Sequence, residues 1–542
     1  MASGGGGKLT ELSKILAIQT VQNGYYEGFN PIVSITTKAL IVLLVIVLII
    51  APVGSSAALA SLKSATLHYF GAWYILLLAS FVLFCAVLLV LPVSGRIKLG
   101  ADGDIPAHST GSWLAMMFCS GIGVGILVFS VSEPISHLAS NPDIMSGAVA
   151  ANTREAVTSS LSFVFLHWGV SAWACYAVIG MALGLACHRR GQPVTMRSAV
   201  APLFGRRLEG IAGHIIDIIS ILAIVAGITT TIVLGLEQIC SGLSVLTGSP
   251  FFADQLGNPP LTALLTALVV TVAIAIGSLT SGLDRGVKWM SLLGMALAFV
   301  VLGVFAITGP TTAPFGALLE TTVVYLKMLP TEIFTVHGGL NSGATPESDW
   351  QAEWTIFYWA WWIAFAPFIG LFLARISRGR SLREFILGSV LAPSALCFLW
   401  FSVMGGSAVF LEVDGIAKGQ IMDAAHAFRI YETIDLALNS GLKTLIHIGV
   451  TLLFLVLIVA SSTAAIIAIK SIGASGGELA ETPFHSLIWA VVIAAVAGAV
   501  MSVGGVGSIR DVMIVGAVPF SAIMALMLIS VARIVIEEWH TR

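Results

Sequence analysis

The chain has 542 residues, of which 57% are hydrophobic and 10% charged, with a formal net charge of −2. A soluble domain carries roughly a quarter of its residues as Asp, Glu, Lys and Arg, so one soluble core of this size is excluded. The near-zero net charge points to no partner, and the placement of the charges becomes the useful signal.

The first 33 residues are mixed and polar and open with a glycine run, Gly4 to Gly7. They read as a cytoplasmic segment without a cleavable signal peptide. Crossing roughly 30 Å of hydrocarbon takes about 20 apolar residues in a helix, whose backbone hydrogen bonds close within the segment. On that basis the sequence predicts twelve spans, near 36–54, 69–93, 111–131, 158–187, 211–245, 259–278, 287–308, 353–374, 384–411, 444–469, 484–503 and 510–536. Two connections are long. Residues 309–352 contain an amphipathic stretch, Leu318–Leu329, expected to lie as a surface helix, and 412–443 hold a further short helical pattern. A short tail, 537–542, follows, and no segment is long enough for a soluble domain.

Basic residues orient this layout. With the N-terminus inside, inner connections hold fourteen Lys and Arg, among them Arg189, Arg190, Arg375, Arg378 and Arg380, and outer connections hold seven. That bias places both termini in the cytoplasm. The six cysteines, Cys85, Cys119, Cys175, Cys187, Cys240 and Cys397, lie in or beside apolar runs without CxxC spacing. They read as small apolar residues, with neither a disulfide framework nor a metal site.

Three stretches could carry function. The third span contains Gly121, Gly123 and Gly125 and ends at Glu133-Pro134. Gly121 and Gly125 form a GxxxG, which packs helices closely. The same glycines also suit an unwound segment whose backbone meets a solute at mid-membrane. The eighth span holds four of the thirteen tryptophans, Trp354, Trp359, Trp361 and Trp362, with Pro367 following as a helix breaker. Trp354 fits an interfacial belt, whereas Trp361 and Trp362 lie too deep for one. The fourth span adds Trp168, Trp173 and Tyr176, equally deep, with Trp173 and Tyr176 on one helix face.

Deep aromatics without facing carboxylates suit a quaternary ammonium or sulfonium, which donates no ordinary hydrogen bond and is held on ring faces. A metal or primary amine would want carboxylates or imidazoles within the spans. Asp217, His214, Glu133 and His167 are the few candidates, and each reads better as a paired or interfacial residue. No catalytic triad, HExxH, P-loop or DNA-binding pattern is present, so enzyme activity is not expected. A channel would need a continuous polar path, for which polar positions are too sparse.

At these residues the chain resembles the betaine/choline/carnitine transporter (BCCT) family. The likeness is carried by GIGVG…SEP over Gly121–Pro134, HWGVSAWACY over His167–Tyr176, FYWAWWIAFAPFIGLFLARISRGRSLREF over Phe357–Phe385 and MGGSAVFLE over Met404–Glu412. It implies an all-α membrane fold with two peripheral helices (34–110) and a LeuT-like core of inverted five-helix repeats. Those repeats would be spans 3–7 (111–308) and spans 8–12 (353–536), joined by the outer loop 309–352. By position it implies an aromatic box of Trp168, Trp173, Tyr176 and Trp362, with Trp361 beside it. Phe365 stands where many relatives have a further tryptophan, and Gly121, Gly123 and Gly125 supply the unwound backbone.

The resemblance further implies a homotrimer in the bacterial inner membrane and secondary active symport of an osmoprotectant. Sodium-coupled members carry threonines in span five where this chain has Ile224 and Ile228, so a first sodium site is not expected. A second would draw on Ser461, with Ser462 or Thr463, and on carbonyls near Cys119 and Ile122. Gly125 replaces the aspartate found in choline carriers, favouring a zwitterion of the glycine betaine, carnitine or dimethylsulfoniopropionate type. The runner-up is a proton-coupled choline transporter or an ion-independent exchanger of the same family. No cofactor is expected beyond a coupling sodium ion or proton.

Overall fold

The computed structural model describes residues 15–121, 123–281, 288–308, 312–338, 345–477, 483–505 and 507–541. Eleven helices among them are long and apolar enough to cross a membrane. The predicted third span is not one helix but two, Thr110–Gly121 and Val124–Ala139, broken at mid-membrane depth. The fourth is also interrupted. Arg154–Trp168 and Val170–Gly184 meet at Gly169, whose φ −89°, ψ −137° leaves the helical region. Span 2, Pro52–Val90, begins well before its expected start at residue 69, whereas the remaining spans, from Pro31–Ile50 to Pro483–Gly504 and Gly507–Thr541, lie within a few residues of their expected bounds. The expected surface helix sits within Thr312–Glu332, and the short helical pattern of the other long connection is Arg429–Ala437.

Two prolines do not act as expected. Pro134 lies inside Val124–Ala139, so Glu133 is mid-helix and does not close the span. Pro367 lies inside the unbroken helix Phe357–Ile376. Membrane helices tolerate the missing N–H when packed neighbours surround it. Local irregularity falls instead at a π-helical turn, Ala352–Ile356, just before that helix. Trp354 belongs to this turn and is 4% exposed, so it is not an interfacial residue.

Neighbour relations among the spans repeat with a period of five. Span 4 packs on span 8 and span 3 on span 9; span 5 packs on span 12 and span 10 on span 7; span 6 packs on span 10 and span 11 on span 5. Spans 5 and 10 pack on each other, as do 6 and 11, as such a permutation requires. Because five is odd, the second set threads the membrane in the opposite sense, which makes the repeat inverted. Spans 1 and 2 pack outside, on spans 11 and 12. Two pairs depart from the pattern: span 8 against span 12 and span 5 against span 8 have no equally close counterparts between spans 3 and 7 and between spans 3 and 10.

The break at Gly169 is sterically enforced. A Cβ there would stand 2.5 Å from the Phe165 carbonyl oxygen and 2.7 Å from the Phe398 ring, which stacks on Phe165 at 4.0 Å. Gly169→Ala should therefore destabilise the fold by about 1–3 kcal/mol through overpacking. A melting temperature in detergent lower by about 2 °C or more is the expected result. An unchanged melting curve would mean that the break tolerates a side chain.

Candidate functional site

The two helix breaks and the middle of span 8 meet around a cavity of about 270 Å³. Its lining includes Gly123, Gly125, Trp168, Trp173, Tyr176, Trp361, Trp362 and Phe365, so the structure brings these sequence-predicted residues together. Phe368 and Phe372 extend the wall along the same face. They were missed, although they follow Phe365 at three and seven residues, the spacing of one helix face. No charged side chain lies among the described lining residues.

Three of the four indole N–H groups are bonded to protein acceptors. Trp168 Nε1 donates to Glu133 Oε2 at 2.7 Å, Trp173 Nε1 to the Trp168 carbonyl at 3.2 Å, and Trp362 Nε1 to the His167 carbonyl at 3.1 Å. With these three indole donors committed to protein acceptors, Trp168, Trp173 and Trp362 offer ring faces. Trp361 and Trp362 stack at 5.6 Å and 7°, and Trp168 stands edge-on to Trp362 at 4.9 Å. Gly125 completes the packing, since a Cβ on it would lie 2.8 Å from Trp361 Cη2 and 3.0 Å from Trp168 Cη2.

The unwound segment contributes backbone. Gly123 is extended (φ −123°, ψ 172°) and caps Val124–Ala139, whose first N–H groups have no partner within the helix. Gly121 ends the preceding helix; Ile122 and the side chain of Cys119 lie outside the described residues.

The hydroxyls of span 10 diverge. Ser461 lines the cavity, Ser462 lines a small separate one between spans 5, 6 and 11, and Thr463 donates to its own helix at the Val459 carbonyl, 2.8 Å. Ile224 and Ile228 are buried in span 5. The titratable residues noted in the sequence are paired. Arg197 Nε donates to Asp217 at 2.6 Å, and His214 Nδ1 lies 3.0 Å from Arg197 Nη2. Glu133 Oε1 meets His167 Nδ1 at 2.7 Å. That separation is the length of a hydrogen bond.

A second cavity, of about 620 Å³, lies beyond a layer of rings formed by Phe129 and Phe357. It is strongly polar, with Lys63, Glu237, Asp349, Glu353, His426, Arg510 and Asp511 in its lining. The Arg510 guanidinium rests over Phe357 at 5.0 Å and Trp354 at 5.6 Å, and pairs with Glu353 at 3.3 Å. Phe129 connects the two regions, 6.3 Å from Trp168 and 6.0 Å from Trp361. The first cavity extends toward the C-terminal halves of spans 8 and 10, to Phe372 and Ala464, and the second lies near Glu237 of span 5 and at the start of span 12.

The betaine/carnitine/choline family transporter model matches residues 32–540. An uncharacterised transporter of Mycobacterium bovis is 33% identical over 506 residues, covering 92% of this chain and 81% of its own. A glycine betaine transporter of Bacillus subtilis is 32% identical over 424 residues, 78% of each chain. An osmo-independent choline transporter of Acinetobacter baylyi is 31% identical over 428 residues, again 78% of each. Together with the broken third span and the aromatic cavity, these matches establish that the chain belongs to the betaine/carnitine/choline transporter family.

Proposed function

We propose that the protein is a secondary transporter taking up a zwitterionic onium solute, of the glycine betaine, carnitine or dimethylsulfoniopropionate type, by alternating access. The observation that carries this reading is a cavity walled by ring faces, with the indole N–H groups of Trp168, Trp173 and Trp362 already bonded elsewhere. A trimethylammonium or dimethylsulfonium head gains cation–π attraction there, about 2 kcal/mol or more when desolvated, and needs no hydrogen bond. The N-terminus of Val124–Ala139 opens beside the box, and its unpaired N–H groups and positive dipole end suit the solute's carboxylate. That feature favours a zwitterion over choline. The two cavities on opposite sides of the Phe129–Phe357 layer fit alternating exposure of one site. The distribution of basic residues supports cytoplasmic termini, and the family likeness suggests a homotrimer in the bacterial inner membrane.

The driving ion is proposed on narrower grounds. Ser461 is the span 10 hydroxyl that lines the cavity, which supports it as a ligand for a sodium ion beside the substrate. Uptake of radiolabelled glycine betaine, carnitine, dimethylsulfoniopropionate and choline into proteoliposomes tests substrate and ion together. A zwitterion should be preferred to choline, and sodium-driven uptake should fall on Ser461→Ala. Sodium-driven uptake that survives this change defeats the ion placement. Uptake that needs only a proton gradient removes sodium from the mechanism.

A further inference from the structure

Behind the aromatic box lies a buried polar cluster that substrate recognition alone does not require. Glu133, His137 and His167 have no exposed surface. Glu133 Oε2 accepts from Trp168 Nε1 at 2.7 Å and from the Tyr358 hydroxyl at 2.5 Å. Its other oxygen meets His167 Nδ1 at 2.7 Å and lies 3.3 Å from His137 Nε2. His167 Nε2 faces the Thr355 hydroxyl at 3.0 Å. A carboxylate on Nδ1 fixes the tautomer, so Nδ1–H donates and Nε2 accepts from Thr355.

His137 is the anomaly. Its Nδ1 makes no hydrogen bond despite full burial, and its Nε2 has only the Glu133 carboxylate, 3.3 Å away and outside hydrogen-bond geometry. Leaving a buried polar group unpaired costs about 1–3 kcal/mol, so its presence needs a reason. The surroundings suit a cation better than a neutral ring. Trp354 lies 4.8 Å away and Trp350 5.1 Å away, Phe163 adds a third ring at 6.4 Å, and the Glu133 carboxylate adjoins.

We propose that Glu133, His137 and His167 form a proton-binding site, with His137 as the acceptor, whose occupancy sets the position of Trp168 in the aromatic box. This rests on the reading that the box binds an onium solute. With His137 neutral, the carboxylate is shared between His167 on one oxygen and Trp168 and Tyr358 on the other. A proton on His137 creates a cation that draws the carboxylate toward itself and away from those two donors. Trp168 then loses the bond that fixes its ring against Trp362, and the solute is held less tightly. By reciprocity, solute binding expels the proton. His137 and His167 act here as positioning residues, since neither lines the cavity.

Other charged and titratable groups surround the cluster at greater reach. Arg429 donates to the Ser132 carbonyl and Ser136 hydroxyl on the same helix, and Asp143 pairs with Ser159. Glu412 accepts from the Gly419, Ile421 and Met422 amides. Arg510 lies across the Phe129, Trp354 and Phe357 rings, with Lys63, Glu237, Asp349, Glu353, Asp511 and His426 in the cavity beyond. Burial, with Arg429 and Arg510 beside it, pushes the His426 imidazole down to about 4. His426 therefore stays neutral over roughly pH 5–8, the window in which a histidine switch operates.

The test uses the full chain in detergent with glycine betaine as the probe. Tryptophan fluorescence reports affinity, and an indicator dye in weak buffer reports proton release. The wild type should bind about tenfold more weakly near pH 5 than near pH 8 and should release protons on binding at low pH. His137→Gln removes the titrating ring, and His137→Phe keeps its packing among Phe163, Trp350 and Trp354. Each should bind with a flat pH profile and release no proton. A variant that folds and retains the wild-type profile and proton release overturns the proposal, as does a wild type that binds betaine without exchanging protons. A wild type that binds none of the onium solutes at any pH overturns the box reading itself.

Discussion

Trp362→Leu should weaken glycine betaine binding tenfold or more, equivalent to about 1.4 kcal/mol, while leaving the protein folded. Leucine keeps the wall apolar but removes the ring quadrupole. Trp362 is the hub of the box, stacked on Trp361 at 5.6 Å and on Tyr358 at 5.7 Å, with Trp168 edge-on at 4.9 Å. Its N–H is tied to the His167 carbonyl, so the loss would reflect the ring face rather than a hydrogen bond to solute. Trp539→Leu, 50% exposed near the end of span 12, supplies the control and should bind normally. Equal affinities in the wild type and Trp362→Leu, measured by isothermal titration, would remove this wall from the site.

The spans were legible because the bilayer imposes one long apolar run per crossing, and the break in span 3 because Gly121, Gly123 and Gly125 crowd its middle. Trp168, Trp173, Tyr176, Trp361 and Trp362 stood out for the same reason, being too deep for an interfacial belt. What the sequence hides is tertiary. Glu133 meets His167 and Tyr358 across 34 and 225 residues, and no local pattern announces those contacts. Trp354 resembles a belt residue until Arg510, from the far end of the chain, is seen resting on its ring. Pro367 has the look of a breaker, but a buried helix surrounded by packed neighbours absorbs it, and the distortion falls at Ala352–Ile356. Ser461, Ser462 and Thr463 are consecutive, so at about 100° per residue they cannot share one face. That divergence was predictable from helix geometry alone.

Gly125 joins the packing of the box to its charge selectivity, and two substitutions separate the contributions. Gly125→Ala places a Cβ at 2.8 Å from Trp361 and 3.0 Å from Trp168. Neither ring can retreat easily, because Trp168 is bonded to Glu133, and Trp361 is stacked against Trp362 and packed at a tilt against Phe357. Both walls must shift, and betaine and choline should each bind about tenfold more weakly, since their onium heads use the same rings. Gly125→Asp adds a carboxylate to that same displacement. Beside a zwitterion it faces a like charge, whereas choline brings only its cation. Relative to Gly125→Ala, the choline-to-betaine affinity ratio should rise by about tenfold, the effect of a repulsion that disfavours one ligand and an attraction that favours the other. The alanine variant is the correct reference because the steric cost cancels between the two. Competition of unlabelled choline and betaine against one labelled ligand gives the ratio directly. Identical ratios in Gly125→Asp and Gly125→Ala would place residue 125 away from the solute's anionic end and leave packing as its only role.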